Sequence, residues 1–132
     1  MKLFSLICCL TTGAIATNAV AQEGMNDLEI AHSAYTAGVI DIRYAHLAAA
    51  WTENPEVLEF ATIMLRDHTA VNEAALKLLA ELDVAPQDND LSRALREGAA
   101  AKREELVGLS GHAFDCAYAT NELAYHQLVN AT

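Results

Sequence analysis

The sequence predicts an all-α protein, an up-down helical bundle built around one long helical hairpin. Three observations carry that prediction. Ala, Leu and Glu dominate, and no stretch alternates apolar with polar residues in the β-branched manner of a strand. With only 6 Gly and 2 Pro in 132 residues, turn-rich all-β, linker-like and collagen-like compositions are excluded. The few breakers that do occur divide the chain into long uninterrupted segments, the first two opened by capping signals.

The first segment reads as an address. Met1-Lys2 is a short charged start, Leu3 to Ile15 is apolar apart from a few interruptions, and Ala19-Val20-Ala21 is a small-x-small cleavage pattern. The apolar stretch is shorter than the ~20 residues of a spanning helix, so residues 1–21 are expected to be a signal peptide cleaved after Ala21. The product would then be periplasmic or secreted. Cys8 and Cys9 lie within the apolar run behind bulky residues, which argues against a lipoprotein. Residues 22–132 form one domain, with no transmembrane segment once the leader is removed.

Cleavage removes Lys2 and leaves 7 basic against 18 acidic residues, a charge of -11. Such a balance argues against a nucleic-acid partner, which needs a basic face. It also removes Cys8 and Cys9, so Cys116 has no intramolecular partner and is expected to be a small buried residue.

Within the domain, Asn26 with Glu29 three residues on is a capping box that opens helix A, read as 27–53. Asn54-Pro55, an N-cap followed by proline at the first helical position, opens helix B, read as 55–82. The polar stretch Val84–Asp90 precedes a shorter helix, 91–107, and Gly108–Gly111 separates it from the last helix, 112–130. In helix A, Leu28, Tyr35, Ile42 and Ala49 recur every seven residues beside Ala31, Gly38 and Ala45, a seam of small residues that admits a close partner. In helix B, Val57, Met64, Val71 and Leu78 form one row, and Ala61, His68, Ala75 and Leu82 another. Trp51 and Phe60 flank the turn and are expected to clasp it. The connection 83–111 is long enough to run back along the bundle, which sets the last helix parallel to helix B in the ferritin-like manner.

His68 stands in the middle of an apolar row. Its plain role is a core imidazole bonded to a neighbouring carboxylate or tyrosine; its sharper one is a metal ligand. With a turn near residue 54, Asp41 and Ile40 come level with Asp67 and His68, and His126 comes level with about residue 69. Asp41, His68, Glu122 and His126 can therefore share one slab as candidate ligands for a divalent ion such as zinc, iron or manganese. Two features count against the set. Asp41 points some 100° from the centre of helix A's seam, and Glu122/His126, at i and i+4, more often form a solvated pair. Glu29-Ile30-Ala31-His32 alone has the Glu-x-x-His spacing, far from the slab, so a ferritin-type di-iron centre is not supported. No phosphate loop or nucleophile elbow occurs, and Cys116 has no evident activating base.

The runs NDLEIAHSAYTAGVIDIRYAHLA, NPEVLEFATIMLRDHTAVNEAALKLLAELDVAPQDN and LSGHAFDCAYATNELAYHQLVN resemble the bacterial family called domain of unknown function 4142, from about Asn26 to Asn130. The resemblance implies an exported four-helix bundle grouped with ferritin-like folds, often labelled as an outer membrane protein, with Asp67-His68 as a hallmark. It implies no activity. It also implies a further helix with an inward histidine, whereas this chain stops at Asn130-Ala131-Thr132. The expectation is therefore a C-terminally truncated bundle lacking its fourth helix. The apolar face of Phe114, Ala117, Tyr118, Tyr125 and Leu128 would then lie uncovered and be met by a second copy in a homo-oligomer. The favoured function is a non-enzymatic exported bundle acting through its surface, with an envelope-stress role suggested by fold-level analogy alone. The alternative is a ferritin-like metal-binding protein with redox activity, and a non-functional remnant is the third reading.

Overall fold

The computed structural model describes residues 24–132, so the expected leader, its cleavage site, Cys8 and Cys9 lie outside the described residues. Four helices follow one another: α1 (Asp27–Trp51), α2 (Pro55–Glu81), α3 (Asp90–Val107) and α4 (Gly111–Asn130). Three of the four starts, those of α1, α2 and α3, carry a side-chain cap. Asn26 accepts from the amides of Leu28 and Glu29 while Glu29 bonds back to the Asn26 amide, the reciprocal box that the spacing predicts. Asn54 accepts from the Glu56 amide at 2.9 Å, with Pro55 at N1. Asn89 caps α3 and Ser92 returns the bond.

The α2 terminus uses a left-handed residue. Asp83 has φ +53°, and the amides of Asp83 and Val84 reach back to the carbonyls of Ala80 (3.2 Å) and Leu79 (3.0 Å). This is the paired bonding of a Schellman cap, made here without the usual glycine.

Cross-connections fix the helix directions. The Gln87 amide donates to the Leu28 carbonyl at 3.0 Å, so the end of α2 returns to the start of α1. Asn89 Nδ2 reaches the Glu29 carbonyl and the Tyr44 hydroxyl lies 3.5 Å from the Ala99 carbonyl, so α3 runs alongside α1 in the same sense. Thr52 Oγ1 donates to Asp115 at 2.6 Å and the Tyr125 hydroxyl to the Ala37 carbonyl at 3.3 Å, so α4 runs back down α1, parallel to α2. The order is up-down-up-down. Helix α1 packs against all three others.

Several expectations are corrected here. The connector helix is itself a bundle member: 18 residues span about 27 Å, and α3 buries Leu95 and Leu106 in the common core. Four helices therefore pack together where one was expected to be absent. Phe114, Tyr118 and Tyr125 are correspondingly buried rather than uncovered, while Ala117 is half-buried and Leu128 alone of the expected face is exposed, which leaves little of that face for a second copy. The buried face of α1 is centred on Ala37, Ile40, Asp41, Tyr44, Ala45 and Ala48, while Leu28, Tyr35 and Ile42 are only half-buried and Ala49 is exposed. A helix with three neighbours buries a broader arc than a two-helix seam predicts. On α2 the core-facing line is Ala61, Leu65, His68, Asn72 and Leu79, and the expected row-mates Val71, Leu78 and Leu82 are exposed. Phe60 packs edge-on against Tyr118, with ring centroids 6.1 Å apart, while Trp51 is exposed. Among the described residues, no helix is long and apolar enough to cross a membrane.

Candidate metal centre

Three of the four residues singled out from the sequence meet at one point. One ligand atom each from Asp41 on α1, His68 on α2 and His126 on α4 lies within 4.8 Å of the others. Antiparallel packing brings residue 41 level with 68, and the parallel run of α4 brings 126 to the same height. The two imidazole centroids are 5.8 Å apart. His68 Nε2 stands 3.4 Å from Asp41 Oδ2, and two donors about 2.1 Å from a tetrahedral ion are themselves about 3.4 Å apart.

The protonation pattern suits ligation. His126 Nδ1 is 2.8 Å from the Glu122 carbonyl, which can only accept, so Nδ1 donates there and Nε2 is the nitrogen left for a ligand. A backbone carbonyl orienting the far ring nitrogen is the usual outer support of a histidine ligand. Asp41 is 3% exposed, and its Oδ1 has no hydrogen-bond partner. Burial pushes the Asp41 carboxyl above its ordinary range, opposed by the neighbouring imidazoles of His68 and His126. A buried carboxylate with an idle oxygen beside two imidazoles is a donor set for a borderline divalent cation, and three ligands would leave coordination positions open.

Glu122 is the fourth candidate, and it does not join the cluster. It is 2% exposed, which corrects the expectation of a solvated Glu122/His126 pair, and neither carboxyl oxygen has a partner. Its Oε2 is 4.0 Å from His126 Nδ1, the nitrogen bonded to the Glu122 carbonyl. Burial, and then the charge of Asp41, raise its pKa to about 8, so Glu122 holds a proton at neutral pH. Burial and the same carboxylates raise the phenols of Tyr44 (to about 12), Tyr118 and Tyr125. The result is a largely uncharged wall behind the Asp41 ligand point.

The remaining sequence candidates lie elsewhere. Asp67 is exposed and pairs with Arg66. Glu29 is used by the α1 cap. Cys116 is exposed, not buried, and its Sγ lies 3.4 Å from Nε2 of His112 one turn earlier, a neighbour that the sequence reading overlooked. The i, i+4 spacing was the signal available for it. Asn89 belongs to the polar connection Val84–Asp90 in sequence. It is buried and joins α1 to α3 through Ser33 (3.0 Å) and the Glu29 carbonyl (2.7 Å).

Comparison with curated proteins and with solved structures finds no match to the chain. A family model does match, over residues 12–132, and so takes in all four helices and the whole Asp41–His68–His126 cluster. On that match the chain belongs to the family described as Domain of unknown function (DUF4142).

Proposed function

We propose that this chain is an exported, non-enzymatic helical-bundle protein that holds one divalent metal ion between α1, α2 and α4. Export rests on the leader pattern of residues 1–21. Metal binding is carried by one observation, the convergence of Asp41, His68 and His126 to within 4.8 Å of one another. Asp41 and His68 supply Oδ2 and Nε2, and His126 supplies Nε2, its Nδ1 being committed to the Glu122 carbonyl. The bound ion would supply charge neutralisation for the buried Asp41 and a Lewis-acid centre.

A second reading is favoured by the 3.4 Å contact between His68 and Asp41: the cluster is a structural ion pair that needs no metal. Elemental analysis of tag-free protein separates the two. One equivalent of zinc, iron or manganese per chain, lost in His68→Ala and in His126→Ala with helicity retained, supports the metal site. A metal-free, fully folded protein that takes up none of these ions when they are added supports the ion pair.

A further inference from the structure

On the flank of α1 that faces α3 lies a cleft of about 150 Å³ that shares no residue with the metal cluster. Arg43, Arg96 and Arg103 line it, over a floor that includes Ile40, Tyr44 and Ala99. The concentration of positive charge is the unusual feature. Seven Lys and Arg side chains follow Lys2 in a chain that carries 18 acidic residues, and three of the seven converge here. Arg96 is engaged by Asp88 at 3.1 Å, and Glu104 places one carboxylate on the rim. Arg43 and Arg103 make no ion pair among the described residues.

Guanidinium groups present planar forks that match a carboxylate's two oxygens, and they bind such groups better than an ammonium does. Ile40, Ala99 and Tyr44 add apolar lining, which favours an apolar body over bare phosphate. A volume of about 150 Å³ accommodates a single six-membered ring. We propose that this cleft binds a small organic carboxylate with an apolar body, its carboxylate forked by Arg43 and Arg103 and its body resting on Ile40, Tyr44 and Ala99. This site stands independently of the metal reading.

The test uses benzoate as the probe, followed by calorimetry or ligand-observed NMR at low ionic strength on the leader-free chain. Saturable binding of one benzoate per chain is expected, weakened about tenfold or more in R43Q/R103Q. The double variant R66Q/K77Q changes net charge equally but lies on α2 away from the cleft, and is expected to bind as the unaltered chain does. Circular dichroism should show all three proteins equally helical. Three results would each overturn the proposal: no saturable binding, equal weakening in both double variants, or inorganic phosphate binding as tightly as benzoate.

Discussion

Glu122 concentrates the electrostatic cost of this fold in one side chain. In the unfolded chain its carboxyl ionises at about 4.5, and in the folded chain at about 8. Between those values the folded state holds a proton that the unfolded state has released, so stability falls as pH rises through the interval and levels off above it. At about 1.4 kcal/mol per unit, the change amounts to a few kcal/mol. Asp41, also raised, acts with the same sign. Chelator-treated protein should therefore be more stable in urea at pH 5 than at pH 8. Glu122→Gln should flatten that dependence and raise stability at pH 8 by about 1–3 kcal/mol; an unchanged pH profile would show that Glu122 does not titrate in this range. Gly38 makes the opposite point about space. A Cβ there would come within 2.5 Å of Asn72 Oδ1, and Asn72 is buried. Gly38→Ala should destabilise by about 1–3 kcal/mol through overpacking, despite alanine's better helix propensity.

Helix ends behave as small independent devices. Asp83 holds a left-handed conformation that glycine adopts without strain. Asp83→Gly should raise stability by about 0.5–1 kcal/mol, visible as a shift in the urea midpoint with unchanged slope. Asn89 does more than cap. Its amide bonds to both α1 and the α3 start, so Asn89→Ala should cost about 2 kcal/mol or more, above the ~1 kcal/mol of an ordinary cap. The capping box at Asn26 and the Asn54-Pro55 junction were legible because their bonds are local, closed within three residues. Asn89's reach to α1 was not legible, because its partners lie 56 and 60 residues away.

At the scale of the whole molecule, heights along the bundle were readable and azimuths were not. Rise per residue is constant, so a single turn at Asn54 sets Asp41 opposite His68, and a parallel last helix carries His126 to the same layer. Azimuth depends on how many neighbours a helix has. Read as half of a hairpin, α1 seemed to leave Asp41 beside its seam; with α3 and α4 also packed on it, that position is interior. On α4 the same packing buries Phe114, Tyr118, Glu122 and Tyr125, whereas Leu123 and Leu128 stay exposed. The layer containing Asp41, His68 and His126 is thus a product of four-helix packing, and its capacity for metal is the central claim.

Zinc titration of chelator-treated, leader-free protein, followed by calorimetry and by thermal melting, tests that claim most directly. The account predicts one saturable site per chain, a melting temperature that climbs with free zinc as mass action requires, and loss of both effects in His68→Ala and His126→Ala. Absence of saturable uptake in a well-folded chain, or uptake undiminished in those variants, would contradict it.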